Sequence, residues 1–179
     1  MTISTTTIKN SYSGDASTTV FAYTFKISDD DDIQVIIRSS AGAETVKTKT
    51  THYTVSGVGV TTGGNVTMET APASGETLVL RRSTTQTQAV DLVENDPFTA
   101  NSVEGAFDKN LSIAQELQEE VDRSIKLSRT NTITSSEFTD SATDRASKTL
   151  GFDSSGDLTV VADFLPAGGD SALFQYSTT

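Results

Sequence analysis

The 179-residue sequence contains no cysteine and no tryptophan, and only 35% of its residues are hydrophobic. The absence of cysteine excludes disulfides, thiolate metal sites and thiol catalysis. The low apolar fraction favours a modest core with exposed appendages. The first ten residues are polar apart from Ile3 and Ile8, so neither a signal peptide nor a membrane anchor is predicted.

Basic residues are also scarce. Thirteen lysines and arginines stand against 24 acidic residues, which gives a formal net charge of −11, and no segment carries a basic stripe. Nucleic acid and anionic membranes are therefore poor candidate partners. A mixed acidic surface of this kind is the usual state of a soluble protein.

Residues 96–127 form the only long segment whose apolar side chains recur with a helical period. Pro97 precedes the helix, and Asn101 followed by Glu104 has the form of a capping box, so the helix is expected to begin near Ser102. Continued to Leu127, it would be about 40 Å long. The apolar positions share one stripe: Val103, Phe107, Leu111, Ala114, Leu117, Val121 and Ile125.

A helix of that length exceeds what a small sheet needs, so its apolar stripe is predicted to contact copies of the same chain. Asn110 and Ser124 interrupt a stricter heptad pattern, and polar residues at such positions commonly fix register and copy number. The predicted oligomer interface is Val103, Phe107, Asn110, Leu111, Ala114, Leu117, Val121 and Ile125. Alternatively the stripe packs on the chain's own sheet, or its N-terminal part does so while residues 117–125 lie between subunits.

The part before the helix is predicted to be β-structure. Phe21, Tyr23 and Phe25 alternate with Val20 and Ala22, as in a half-buried strand. The predicted strands are 18–25, 33–37, 44–49 as a polar edge strand, 53–58, 65–68, 78–82 and 89–93. Short strands with turns every eight to twelve residues indicate an antiparallel β-sandwich or barrel.

The sequence thus predicts a mainly β fold with one long amphipathic α-helix of trimeric coiled-coil type and an extended, β-poor tail. Three parts are expected: a β-sandwich over 1–97, an oligomerisation helix over 98–129, and a Thr/Ser-rich linker with a short β-hairpin over 130–179. Residues 128–143 have neither helical nor strand periodicity and are interpreted as linker. The hairpin is predicted to join 150–153 to 158–161 around a Gly turn.

No group of residues has the spacing of a catalytic, cofactor or metal site. The run Asp29–Asp32 lacks the alternating ligands and the glycine of a calcium loop, and is interpreted as a solvated turn. His52 is the only histidine and cannot build a zinc site alone. Glycosidic cleavage needs paired carboxylates beside sugar-stacking aromatics, yet aromatics are 7% of the chain. We therefore expect no enzymatic activity and no cofactor.

With these residues in view, the sequence resembles the N-terminal tail-attachment region of tail fibre proteins of short-tailed bacteriophages, podoviruses of the Autographivirus type. The similar segments cover most of the chain: Tyr23-Thr24-Phe25, Asp32-Ile33-Gln34-Val35, Tyr53-Thr54-Val55-Ser56-Gly57, Ala71-Pro72-Ala73-Ser74-Gly75, Leu80-Arg81-Arg82, Thr87-Gln88, Asp91-Leu92, Phe98, Ala106-Phe107-Asp108-Lys109 and 145–153. None of them is a catalytic motif.

The resemblance implies a virion structural protein, assembled in the host cytoplasm and located in the tail. It implies a homotrimer that docks on the tail tube where the adaptor and nozzle proteins meet. The residues would be either the base of a longer fibre or a connector to a separate distal receptor-binding protein. The alternatives are a carbohydrate-binding or depolymerase-type receptor module, which exposed aromatics beside paired acids would favour, and a bacterial surface adhesin, which the absence of an export signal disfavours.

Overall fold

Alternating apolar and polar side chains build seven strands in the first part of the chain. A computed structural model describes residues 3–88, 99–126, 130, 140–154 and 158–161. One sheet has four strands in the order β1 (Lys9–Ser13), β7 (Thr77–Arg82), β3 (Ile33–Arg38) and β4 (Glu44–Val46). The other has three, in the order β2 (Val20–Tyr23), β6 (Gly64–Met68) and β5 (Tyr53–Ser56). Neighbouring strands in both sheets pair antiparallel.

Both sheets contribute to one buried apolar cluster. Phe21 and Tyr23 of β2 are buried and Val20 and Ala22 are exposed, which confirms the predicted alternation. In β3 the buried residues Ile33, Val35 and Ile37 follow the same period of two. Across the described residues the two sheets do not close into a barrel, so the barrel alternative is wrong; the sandwich stays a prediction. The cluster comprises Phe21, Tyr23, Phe25, Ile27, Ile33, Val35, Ile37, Tyr53, Val66, Met68, Leu78 and Leu80.

Two buried tyrosines fix their hydroxyl groups on backbone carbonyls. The Tyr23 hydroxyl donates to the Ser56 carbonyl at 2.7 Å, and the Tyr53 hydroxyl donates to the Ile33 carbonyl at 3.3 Å. Each ring is therefore buried without leaving its polar atom unsatisfied. The second bond also joins a residue of the three-stranded sheet to a strand of the four-stranded sheet.

The edges of the four-stranded sheet were only half predicted. The polar strand β4 lies at one edge, as the lysines of the segment 44–49 indicate, although the strand ends at Val46, before both lysines. The other edge is β1, which the sequence did not reveal because its residues Lys-Asn-Ser-Tyr-Ser offer no apolar alternation. β1 pairs with β7, with Tyr12 opposite Leu78. The predicted strand 89–93 lies outside the described residues.

Gly63 occupies a position that a larger residue cannot fill. Its φ is +91°, and a Cβ atom built there would lie 1.8 Å from the carbonyl oxygen of Tyr23. We expect Gly63→Ala to lower the free energy of unfolding by about 2–3 kcal/mol, because it adds a backbone clash to the strain of a left-handed conformation. Gly42 has φ +89° but nothing within 4 Å of such a Cβ. Gly42→Ala should therefore lower the free energy of unfolding by only about 1–2 kcal/mol. Urea unfolding followed by circular dichroism measures both variants. Equal losses would show that the Tyr23 carbonyl does not restrict the residue at position 63.

The long helix, α1, spans Ala100–Asp122. Thr99 caps it by accepting a hydrogen bond from the Ser102 amide at 3.3 Å, so the predicted capping box at Asn101 and Glu104 is wrong. Thr99 lies two residues before the predicted cap Asn101, and its side chain satisfies one of the backbone N–H groups that lack a partner in the first turn. The helix ends with Arg123 as its C-cap, and its 23 residues make it roughly 35 Å long rather than about 40 Å. Leu127 lies outside the described residues.

The chain divides into two compact units, Met1–Ser124 and Ile125–Thr179. The second unit contains the short helix α2 (Ala142–Arg145) and an antiparallel hairpin of β8 (Thr149–Phe152) and β9 (Leu158–Val161). The hairpin was predicted, whereas α2 takes two residues from the predicted linker. Its N-cap is Ser141, whose side chain accepts a hydrogen bond from the Asp144 amide. Within the described ranges, no helix is long and apolar enough to cross a bilayer.

Candidate interaction surface on helix α1

Helix α1 turns a polar face toward the strands of the first unit. Its buried residues are Asp108, Ser112 and Glu116, which follow one another at intervals of four and so share one stripe. Burial of an ionised carboxylate is unfavourable unless it is paired and hydrogen-bonded. The contacts of these carboxylates therefore determine how α1 is held.

Arg82 and Glu116 form the buried centre of this contact. Arg82 is 1% exposed, and its Nε donates to Glu116 Oε1 at 3.0 Å. Its Nη2 donates to Gln115 Oε1 at 2.6 Å and to the Ser112 carbonyl at 3.3 Å. Glu116 also accepts hydrogen bonds from the Thr84 amide at 3.0 Å and the Thr84 hydroxyl at 2.6 Å. The pair is well satisfied except at Arg82 Nη1, which has no hydrogen-bond partner among the described residues.

Further ion pairs hold α1 on either side of this centre. Lys26 Nζ lies 2.6 Å from Asp108 Oδ2, and the Ile3 amide donates to Asp108 Oδ1 at 3.2 Å. Toward the end of the helix, Glu119 lies 3.3 Å from Lys9 Nζ. We call the whole contact the polar seam. Its charged members are Lys9, Lys26, Arg81 and Arg82 from residues 3–88, called here the β-unit, and Asp108, Glu116, Glu119 and Glu120 from α1.

The seam is an electrostatic match between segments distant in sequence. Four of the seven lysines and arginines among residues 1–97 belong to it. Burial by itself would raise the pKa of Glu119, but the hydrogen bonds from Arg123 and Lys9 outweigh it and hold the pKa below its usual value. Arg81 completes this end, with Nη2 lying 2.8 Å from Glu120 Oε1 and 3.5 Å from Glu119 Oε2.

The opposite face of α1 carries the predicted apolar stripe, and most of that stripe is in solvent. Val103 is half-buried, whereas Asn110 and Ala114 are exposed. The alternative in which the stripe packs on the chain's own sheet is wrong for the exposed members; the oligomer interface itself stays a prediction. The exposed fractions are 67% for Phe107, 43% for Leu111, 51% for Leu117 and 50% for Val121, and 93% for Ile125, which belongs to the second unit.

Sequence periodicity thus identified the stripe but missed the face that contacts the β-unit. The available signal was the acidic set at 108, 116, 119 and 120, whose spacing places the carboxylates near one another on a helix. The adjacent pair Arg81-Arg82 at the end of a strand was its complement. Neither pattern alone indicates that the acidic residues of the helix contact these arginines.

The acidic turn at residues 29–32 contains two kinds of aspartate. Carboxylate oxygens of Asp29, Asp30 and Asp31 lie within 4.8 Å of one another and are exposed, but Lys49 pairs with Asp30 at 2.7 Å and with Asp31. Asp32 is buried and accepts hydrogen bonds from the Ser28, Asp29 and Thr85 amides at 3.1–3.2 Å. The solvated-turn interpretation therefore fails at Asp32, which ties the turn to the end of the β-unit.

A cleft of about 640 Å³ lies between this turn, the segment after β7 and the first turns of α1. Among the described residues that line it there is no aromatic side chain, and Lys109 on its wall donates to the Thr87 carbonyl. Sugar-binding clefts commonly stack a ring on an aromatic face. His52 lies elsewhere, exposed and with Nδ1 3.1 Å from the Thr48 amide.

Comparison with known proteins gives one informative similarity. No protein-family model matches the chain. The tail spike protein of Salmonella phage epsilon15 is 35% identical over 118 residues, which cover 66% of this chain. The match spans only 11% of the length of that relative. The similarity supports a phage tail structural protein, a component of the virion tail.

Proposed function

We propose that this chain is the trimeric base of a phage tail fibre or spike, joined through the outer face of α1 and docked on the tail through the β-unit. The observation that carries the proposal is that helix α1 buries its polar face and exposes its apolar face. Its buried residues Asp108, Ser112 and Glu116 are polar, while Phe107, Leu111, Leu117 and Val121 are exposed. Contiguous exposed apolar surface of this kind marks an interaction site.

The exposed stripe offers apolar surface whose burial favours association. Complete burial of an exposed Leu, Val or Phe side chain contributes about 1.5–3 kcal/mol. The four stripe residues of α1 are 43–67% exposed, so they contribute roughly 3–6 kcal/mol per copy. Association itself costs an estimated 4–15 kcal/mol or more. The two ranges overlap, so we expect the whole stripe to be needed. A copy number of three follows from the resemblance to tail fibres, and Asn110 among apolar neighbours would fix the register.

In this proposal the β-unit is a β-sandwich that docks at the junction of the adaptor and nozzle proteins. The loop between β5 and β6 is a candidate contact, because Val58 and Val60 are each 43% exposed there. A standard docking interface buries about 1,600 Å². Three β-units on one axis present the same loop three times, which raises the effective strength of attachment without any new contact. We propose no catalytic role and no bound cofactor for this chain.

Two measurements test the proposal. Sedimentation equilibrium of residues 1–179 should give about 57 kDa, three times the 19.0 kDa of one chain. Cryo-electron microscopy of virions should then place the β-unit against the tail tube with α1 on the axis of each appendage. A monomer at high concentration, or a position distal to the tail, would overturn the proposal. Binding to glycans in an array, lost on substitution of exposed Tyr or Asp residues, would favour the receptor-module alternative.

A further inference from the structure

The polar seam differs from an apolar interface in what happens when it opens. Its buried helix residues are Asp108, Ser112 and Glu116, and each of the two carboxylates is held by a cation of the β-unit. Removing such charges from water is expensive, and opening returns that hydration to them. An opened seam therefore loses ion pairs and hydrogen bonds but places charged groups, which water solvates well, at the new surface.

We propose that the polar seam is a releasable joint, at which α1 and the β-unit separate as folded parts when the helix carboxylates lose their charge. The seam would close in one register, because Arg82 contacts Ser112, Gln115 and Glu116 together and these three lie at one place on the helix. In a tail appendage such a joint would let each β-unit swing relative to the helical axis. The joint would thus control the position of the β-unit, which is the proposed docking part of the same chain.

The direction of the pH response follows from all the charges that meet at the seam. The four carboxylates of α1 face Lys9 from β1, Lys26 from the segment after β2, and Arg81 and Arg82 from β7. Arg123 of α1 also pairs with Glu119 at 2.9 Å and is influenced by the charge of Glu44. Acid removes the carboxylate charges and leaves these cations uncompensated. Hydrogen bonds from Arg123 and Lys9 hold the pKa of Glu119 below its usual value despite its burial, so Glu119 keeps its charge to a lower pH than an ordinary glutamate.

The inference rests on the proposed self-association of α1. Most of the stability of a helix in a protein comes from packing of one face, so a released α1 would lose its helical structure unless its apolar face were buried against other copies. The joint and the trimer are nevertheless separately measurable, because one concerns a distance within a chain and the other the number of chains.

The absence of native cysteine allows a direct test on the full chain. Ser13 at the end of β1 and Asn101 at the start of α1 are both exposed, so the S13C/N101C variant carries two spin labels across the seam and no others. Labelled chains are diluted into an excess of unlabelled chains so that electron–electron distances within one chain dominate. The test variant adds D108N and E116Q. The matched control adds D122N, because Asp122 is an exposed carboxylate of the same helix that is not one of the charged seam residues defined above.

At pH 7 we expect a single narrow distance in the S13C/N101C protein and in its D122N control, and loss of that narrow population in the D108N/E116Q variant. The S13C/N101C protein itself should keep it from pH 7 to about pH 4 and lose it below about pH 4, because the paired cations favour the charged form of the helix carboxylates. The far-ultraviolet dichroism should be retained, which provides the test if D108N/E116Q fails to fold. Sedimentation of the same samples separates the two proposals. A trimer whose narrow distance persists in the variant or through the acid range would overturn the joint, and a monomer would overturn the proposed function.

Discussion

Replacing Arg82 by alanine is expected to lower the free energy of unfolding of the first unit by about 3–5 kcal/mol. Arg82 is 1% exposed and compensates the buried carboxylate of Glu116, 3.0 Å away. While the seam is closed, the substitution leaves that carboxylate in a dry site where, among the described residues, Thr84 alone hydrogen-bonds it. Urea unfolding at pH 7, followed by circular dichroism, measures the loss.

Arg38 provides the matched control, since it is an exposed arginine at the end of β3. Arg38→Ala removes the same charge and should change the free energy of unfolding by no more than about 0.5 kcal/mol. Replacing both members of the buried pair, as in R82M/E116L, should recover only part of the loss. An apolar pair of similar volume removes the unpaired charge, but the buried amide and hydroxyl of Thr84 then lose their acceptor. A loss below about 1 kcal/mol for Arg82→Ala would contradict the assigned role of Arg82 at the centre of the seam.

The strands of the β-unit could be predicted because their burial follows a local rule. Phe21, Tyr23 and Phe25 alternate with exposed residues, and period-two alternation determines which side chains share a face. β1 could not be predicted in this way, since Tyr12 is the only apolar residue among its five. β1 exists because its backbone pairs with β7, and backbone pairing leaves no mark in side-chain hydropathy.

Helix α1 shows where sequence periodicity reaches its limit. The spacing of Phe107, Leu111 and Leu117 shows that they share a face, but it does not show whether that face points toward the β-unit or away from it. The orientation depends on contacts such as Lys26 with Asp108 and Arg82 with Glu116, which are 82 and 34 residues apart in sequence. Such pairs become visible only when the strands have placed their basic side chains beside the helix.

The same orientation makes the exposed apolar residues the natural targets for disrupting self-association. Leu117 is 51% exposed in the single chain and lies in the middle of the stripe. We expect Leu117→Glu to weaken the trimer strongly, because glutamate preserves helix propensity but places three carboxylates in an apolar interface. Each leucine is already about half-buried in the single chain, so loss of three buried leucines removes about 2–5 kcal/mol per trimer, which corresponds to a fall of roughly 30- to 5,000-fold in the association constant. Sedimentation equilibrium over a concentration series measures this change.

Asn101 supplies the control for the effect of the added charge. It is exposed at the start of α1, and it precedes the buried Asp108 by seven residues, so it lies on the side of the helix away from the stripe. Asn101→Glu adds a negative charge in the first turn of the helix and should change helix stability by less than about 1 kcal/mol. The trimer should therefore persist in Asn101→Glu and dissociate in Leu117→Glu, while the β-unit unfolds at the same urea concentration in both. If the two variants associated equally well, the outer face of α1 would have no part in assembly, and the exposed stripe would need another occupant.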